Sequence, residues 1–359
     1  MEAATLADPG KNPEATLDRR LVHAQGSFQP DLSINSRCLT APLTGVQRYL
    51  LELRPYFQQG VEWLQPERRL SKIGGHLWEQ FTLPLRFSRR LLWSPANTGT
   101  LAVSRQVVTI HDASTLDHPE WFACQFAAWY GFLLPRLCRK VRAIITVSHF
   151  SKARLVETCG VSPEKVFVVH NGISLPTAPA EPLAEERDFI LCVGTLEPRK
   201  NLLRLLAAWR KIAPSHTELW IAGASGRVFR ETTLLDLPAR VRLLGQLDDA
   251  QLAALYGTAR AVVYPSLYEG FGFPPLEAMS HGKGALVSDI PSLREICGSA
   301  ALYCDPLRVE DIAAKLDSVI RNPDKIFPDA AHLKEHAAQY TWERCARETS
   351  AVLKGQLAR

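Results

Sequence analysis

A chain of 359 residues with 46% hydrophobic, 22% charged and 8% aromatic side chains has an ordinary folded composition and the length of two domains rather than one, which excludes wholesale disorder, a short peptide module and a disulfide mini-protein. Its eight cysteines (Cys38, Cys124, Cys138, Cys159, Cys192, Cys297, Cys304, Cys345) include no Cys-x-x-Cys pair, so they read as reduced, mostly buried thiols of a cytoplasmic protein and not as a zinc site. The net charge of +5 is uneven: residues 1–175 hold 20 Lys and Arg against 14 Asp and Glu, a net +6, and the remainder is net −1.

Residues 1–28 carry Pro, Ala and charge without periodicity and read as a mobile extension; acidic residues and the lack of an apolar core argue against a signal or transit peptide. Pro42-Leu43-Thr44-Gly45-Val46-Gln47-Arg48-Tyr49 then forms a turn entering a helix, where the Gly45 amide is open to a phosphate. Arg86, Arg89 and Arg90 surround Phe87 ahead of Leu91-Leu92-Trp93, a pattern that suits either a solvated face or an anionic lipid. Gln106 to Ile110 reads as a strand ending at His111-Asp112, and His111 is either a structural histidine or one facing a second domain. The apolar stretch Trp121 to Pro135 spans about 15 residues, short of the ~20 a membrane span needs. It reads as a core helix or an interfacial one, ending at Pro135-Arg136 and followed by Arg139, Lys140 and Arg142.

Further short β-rich runs hand over to helical patterns: Ala143 to Val147, Val166 to Val169, Phe189 to Val193, Glu218 to Ala222, Val241 to Leu244, Ala261 to Tyr264, Ala285 to Ser288 and Leu302 to Cys304. Continuous apolar strands separated by helices imply parallel sheets covered on both faces, an α/β fold. The proline-bearing run Asn171 to Asp188 divides two Rossmann-like domains. The expected boundaries are 29–175, 176–340 and a C-terminal helix over 341–359.

Two segments carry the chemistry. In Tyr264 to Met279 a buried strand ends, Gly270-Phe271-Gly272 follows, and Pro274-Pro275 opens a helix where proline costs no hydrogen bond. Backbone amides there approach a phosphate or sugar closely, and the helix dipole favours negative charge. Glu269 and Glu277, in loop and helix, are spaced to hold two parts of one extended ligand, a sugar hydroxyl and a ribose diol; a glycine turn with two solvated glutamates is the plainer alternative. Val193 to Asn201 is the second segment, again a strand end entering a helix, with Arg199 and Lys200 suited to a diphosphate. Cations at a helix start oppose its dipole, so an anion is expected beside them. The sequence has no Gly-x-Gly-x-x-Gly, P-loop, Asp-x-Asp, Gly-x-Ser-x-Gly or His-Glu-x-x-His, so phosphate would be neutralised by Arg, Lys, amides and helix ends without a metal.

These segments, with Gly194-Thr195-Leu196-Glu197-Pro198-Arg199-Lys200-Asn201, Ile110-His111-Asp112, Thr146-Val147-Ser148-His149-Phe150-Ser151, Asn171-Gly172-Ile173 and Glu269-x7-Glu277, resemble the retaining GT-B glycosyltransferases of family 4. The resemblance implies two Rossmann-like domains facing a central cleft, with the last helix crossing back to the first domain. It implies that Arg199 and Lys200 hold the donor diphosphate, Glu277 the ribose, Glu269 with the amides of Gly270, Phe271 and Gly272 the donor sugar, His111 the sugar near the reacting carbon, and Gly45 the phosphates. Gly223, Gly245 and Leu247 would border the base. The resemblance further implies a nucleotide diphosphate sugar co-substrate with no other cofactor, GDP-mannose favoured over UDP-sugars through the Ser288 to Glu295 segment. A polyprenyl-diphosphate-linked acceptor in cell-surface polysaccharide synthesis, an anionic membrane surface met peripherally from the cytoplasmic face, and no nucleic acid complete the expectation. The alternative from another class, a non-catalytic nucleotide-sugar-binding subunit, would be expected to lose Glu269, Glu277, Arg199 or Lys200, and all four are present.

Overall fold

The computed structural model of the chain describes residues 31–41, 45–88, 90–175, 187–223 and 236–358; the extension 1–28, Pro42 to Thr44, Arg89 and linker residues 176–186 lie outside the described residues. Twelve strands among these form two six-stranded sheets. The first joins β1 (Leu32–Asn35), β2 (Val61–Leu64), β3 (Leu91–Ser94), β4 (Gln106–Thr109), β5 (Ala143–Thr146) and β6 (Val166–Val168) in the order β2-β1-β3-β4-β5-β6, every pair parallel. The second joins β7 (Phe189–Val193), β8 (Glu218–Ala222), β9 (Val241–Gly245), β10 (Ala261–Tyr264), β11 (Ala285–Ser288) and β12 (Leu302–Cys304) in the order β12-β11-β10-β7-β8-β9, also all parallel. Both are doubly wound, and each has a point where the winding reverses, between β1 and β3 in the first and between β7 and β10 in the second.

The run of strands expected from Gln106 onward is present, and three more precede it. β1, β2 and β3 are four residues each, with polar residues inside the pattern (LSIN, VEWL, LLWS), and Leu91-Leu92-Trp93 reads from the sequence as the tail of an arginine cluster. All four β3 residues are nevertheless fully buried, Ser94 donating to Gln106 Oε1 at 2.9 Å and Trp93 Nε1 donating to Thr109 Oγ1 at 3.0 Å. Burial on both faces with side-chain hydrogen bonds inside the sheet is what makes so polar a run a central strand.

The Trp121 to Pro135 segment carries a helix with one side in the core, the first of its two readings, with other bounds. Its helix is Cys124–Lys140, continuing past Pro135, and it turns Leu133, Leu134, Leu137 and Cys138 into the core beneath β4 and β5. Two of the four cations that follow hold the fold together: Arg139 Nε donates to the Cys159 carbonyl (3.1 Å) and an Arg142 guanidinium nitrogen to the Gln356 carbonyl (2.7 Å). No helix among the described residues is long and apolar enough to cross a membrane.

The last helix, Trp342–Leu357, leaves the second sheet and packs on the first: Trp342, Cys345, Ala346 and Leu353 join Tyr49, Leu53, Trp93, Val107 and Ile145 in one core cluster. The chain crosses at Gly172, where a Cβ would lie 2.2 Å from the Trp342 backbone nitrogen. Backbone cannot yield as a side chain can, so Gly172→Ala should lower stability by about 1–3 kcal/mol in urea unfolding. Gly131→Ala in the Cys124–Lys140 helix, where an added Cβ meets nothing within 4 Å, should raise it by about 0.5–1 kcal/mol.

Candidate active site

Ligands of doubly wound sheets sit beyond the carboxyl ends of the strands at the reversal point. In the second sheet that point lies between β7 and β10, and the loops leaving these two strands are Gly194 to Asn201 and Pro265 to Gly272. The loops are bolted together. Asn201, buried and left-handed (φ 58°), donates from Nδ2 to the carbonyls of Pro265 (2.9 Å) and Pro306 (2.7 Å), and Leu267 N–H donates to the Arg199 carbonyl at 2.7 Å.

Arg199 and Lys200, on the single 3-10 turn Pro198–Lys200, project onto one carboxylate. An Arg199 terminal nitrogen donates to Glu269 Oε2 at 3.0 Å, and Lys200 Nζ donates to Glu269 Oε1 at 2.6 Å and to Tyr264 Oη at 2.5 Å. Arg199 Nε also donates to Glu197 at 2.8 Å. The anion expected beside two cations at a helix start is therefore supplied by the protein itself. Burial alone would raise the Glu269 carboxyl, but the charges of Lys200 and Arg199 outweigh it and hold it down at about 2. Glu269 is thus a fixed anion, and both cations are positioned before any ligand arrives.

The first sheet meets this cluster across a gap too narrow for a side chain. At Gly270 a Cβ would lie 2.2 Å from the His111 carbonyl oxygen, so only glycine lets the loop after β10 touch the end of β4. Two residues on, Gly272 has φ 104°, a left-handed turn that glycine allows, and precedes the Phe273–Ser280 helix with Pro274 in its first turn, the proline-opened helix expected from the sequence. Gly45 opens the Gly45–Leu53 helix from the first sheet, and a Cβ there would lie 3.7 Å from the Phe273 ring, so two helix N-termini face one another. His111 donates from Nε2 to the Pro95 carbonyl (3.0 Å), its ring edge-on to Tyr49 at 4.8 Å. A carbonyl only accepts, so Nε2 carries the proton; burial lowers the pKa, and the neutral ring leaves Nδ1 as an acceptor.

Glu277 lies apart from the cation cluster. Its Oε2 accepts from Tyr256 Oη at 2.7 Å, and burial raises its carboxyl despite that bond and the nearby charge of Arg48. Arg48, on the Gly45–Leu53 helix, is ion-paired with Asp249 of the second domain. Gly223 and Gly245 stand at the ends of β8 and β9, joined by the Gly223 N–H to Gly245 carbonyl bond (2.8 Å), and Leu247 packs against the core beside them. The Phe271 side chain is buried among His170, Phe273 and Tyr340, so only its backbone can reach a ligand. The arrangement thus brings together Gly45, His111, Arg199, Lys200, Glu269, Gly270 and Gly272, with Glu277 on the helix that Gly272 starts and Gly223, Gly245 and Leu247 along the neighbouring strand ends.

Sequence reading missed the partners that fix these groups. Tyr264 beside Lys200, Tyr256 and Arg48 beside Glu277, and Tyr268, which donates to Asp117 Oδ2 (2.9 Å) across the domains, lie within or near segments it singled out without a role. Glu295 is another. It accepts from the N–H groups of His149 (2.8 Å) and Phe150 (3.2 Å) and from His170 Nε2 (2.8 Å), capping a first-domain helix from the second domain.

Two facing doubly wound sheets with a glycine-lined, cation-bearing seam define a GT-B glycosyltransferase, and relatives carry the same message. Residues 78–176 match the family described as Glycosyltransferase Family 4 and residues 177–340 that described as Glycosyl transferases group 1. The chain is 32% identical over 272 residues to O-antigen chain mannosyltransferase B of Escherichia coli, covering 70% of this chain and 71% of that protein. It is 27% identical over 270 residues to O-antigen chain mannosyltransferase RfbU of Salmonella typhimurium, covering 74% of each. Among solved structures, sucrose-phosphate synthase from Thermosynechococcus elongatus superposes with a TM-score of 0.71 at 18% identity, over 92% of this chain and 100% of that one, which speaks to the fold. The protein belongs to the GT-B glycosyltransferases of family 4 and is mannosyltransferase-like in sequence.

The charge cluster has a pH signature. A carboxyl held at about 2 stabilises the fold fully above its ordinary value near 4.5 and loses that contribution as pH falls toward 2. Glu269→Gln should therefore be less stable than the wild type at neutral pH, and the gap in urea midpoint should close as pH drops from about 4.5 to 2. A gap independent of pH would remove the ionised Glu269 from the account.

Proposed function

We propose that this glycosyltransferase moves mannose from GDP-mannose to a lipid-linked glycan acceptor at the cytoplasmic face of an anionic membrane, with retention at the anomeric carbon and without a metal. The observation that carries the reading is the pair Arg199 and Lys200, fixed on buried Glu269 at the reversal point of the second sheet and facing His111 and two helix N-termini. A nucleotide diphosphate fits such a place by chemistry: its oxygens accept from an arginine fork, an ammonium and glycine amides. The names of the E. coli and Salmonella relatives support mannose as the sugar.

In the proposed reaction the bond from the anomeric carbon to the diphosphate oxygen breaks, the acceptor oxygen bonds to that carbon on the same face, and the acceptor proton passes to the departing diphosphate. Charge grows on the leaving group. Arg199 and Lys200, already held in place, stabilise it at little reorganisation cost, which lowers the barrier rather than merely tightening substrate binding. Neutral His111, its Nε2 engaged by Pro95, offers Nδ1 to a sugar hydroxyl beside the reacting carbon. Glu277, with Tyr256 orienting it, accepts from the ribose diol. Glu269 holds the cations and accepts from the donor sugar.

Arg199→Ala and Lys200→Ala should each slow turnover by about 10² or more, as when one preorganised contact to developing charge is lost, while Glu277→Ala should chiefly weaken donor affinity. Thermal-shift titration with a panel of nucleotide sugars tests the donor, since ligand at 100 Kd stabilises by about 2.7 kcal/mol. GDP-mannose should give the shift. A shift by a UDP-sugar alone overturns the donor; unchanged turnover in the double Arg199/Lys200 variant overturns the assignment of the cations.

A further inference from the structure

The helical run following β2 buries one face and leaves the other unpartnered. It consists of a helix (Lys72–Leu77), a π turn (Trp78–Thr82) and a further helix (Leu83–Arg86). Inward, Trp78 and Leu83 pack on Leu64 and Leu92, and the Glu79 carboxylate is drawn into the interior by Asn35, Thr98 and Arg37. Outward stand Ile73 (72% exposed), Leu77 (54%), Phe81 (68%) and Leu85 (87%), four large apolar side chains at intervals of four residues. Steps of four overshoot one α-helical turn, so such a series drifts around a plain helix. A π turn winds less per residue and reverses the drift, which keeps all four on one stripe.

Large apolar side chains this exposed, and this aligned, are uncommon on a protein that meets only water. The neighbouring Cys124–Lys140 helix extends the stripe: Trp129 Nε1 donates to His76 Nδ1 (3.2 Å), and Phe132 beside it is 46% exposed with the Arg136 guanidinium 3.9 Å over its ring. Exposed Arg68 and Arg69 precede the run, and Arg86, paired with Glu67, ends it. The frame is cationic on balance, and Glu79, the run's own carboxylate, is buried.

We propose that this ridge is the membrane-docking surface, with Ile73, Leu77, Phe81, Leu85 and Phe132 entering the boundary between headgroups and acyl chains while Arg68, Arg69 and Arg136 meet lipid phosphates. The inference deepens the membrane attachment proposed above and rests on it, but moves its centre from the Trp121 to Pro135 segment, which buries Leu133 and Leu134 and contributes Phe132 at the edge, to the Ile73 to Leu85 stripe. Charge selects the occupant: exposed Arg68, Arg69 and Arg136 flank the apolar stripe and complement anionic headgroups, whereas a second copy would bring the same net-positive frame to the contact.

The test is co-sedimentation of the full chain with vesicles of equal parts phosphatidylcholine and phosphatidylglycerol at low salt, for the wild type and the variant Ile73→Ser/Leu77→Gln/Phe81→Gln/Leu85→Gln. The four positions are exposed, so the variant should keep its melting temperature and its thermal shift with GDP-mannose. Vesicle partitioning should fall by about tenfold or more, and Arg68→Gln/Arg69→Gln should weaken binding in a way that added salt mimics. Undiminished binding by the ridge variant, or no binding by the wild type, overturns the proposal. So does a wild-type dimer in sedimentation velocity that the ridge variant abolishes, since the stripe would then be an interface between copies. Vesicle binding is read without donor or acceptor, so a failed GDP-mannose shift with ridge-dependent binding refutes the sugar assignment and leaves the docking surface standing.

Discussion

Two cations buried side by side at a strand end are untenable without an anion, and the answer to that constraint organises the molecule. Glu269 accepts from both Arg199 and Lys200, which fixes the loop after β10 against the loop after β7. Gly270 follows directly and brings the second domain against the His111 carbonyl, and Gly272 turns the chain left-handed into the helix that carries Glu277. An arginine or lysine presented on a free loop would lose side-chain entropy and reorganise on meeting a diphosphate. Held on a carboxylate, each is fixed before any ligand arrives, and in the reaction proposed above it stands where charge would develop.

The seam between the domains is built from contacts of several kinds. Close backbone approach at Gly270 and Gly172 sets the spacing, and the Trp342–Leu357 helix, seated in the first core, ties the second domain back to it. Polar contacts add direction: Tyr268 to Asp117, Arg48 to Asp249, and Glu295 to the start of the His149–Cys159 helix. Glu295 stays ionised because bonds from His170 and from the His149 and Phe150 amides outweigh the burial that would raise its carboxyl. A carboxylate at a helix N-terminus satisfies donors that the helix leaves open, here across a domain boundary.

Much of the site is legible in the amino-acid sequence because its signals are local. Strand, glycines and a proline-opened helix in YPSLYEGFGFPPLEAM dictate backbone geometry with little tertiary help, and cations at a helix start announce an anion. That the anion is Glu269, some 70 positions from Arg199, is not legible there, because the pairing depends on β7 and β10 lying side by side. Tyr264 and Tyr256 are hidden for the same reason: a buried tyrosine reads as core until its hydroxyl is seen beside Lys200 or Glu277.

The sequence by itself determined the parallel α/β architecture from β4 onward, because continuous apolar runs alternating with helical periods admit few other folds. It also determined the two loops that carry charge and glycine to strand ends. Tertiary structure alone decided the identity of β1, β2 and β3, whose polar residues find partners distant in sequence, Ser94 on Gln106 and Asn35 on Glu79, and the inward-facing side of the Cys124–Lys140 helix. It alone exposed the Ile73 to Leu85 stripe, since whether a leucine faces core or solvent depends on what packs against the opposite side of its helix, and periodicity names the faces without assigning them.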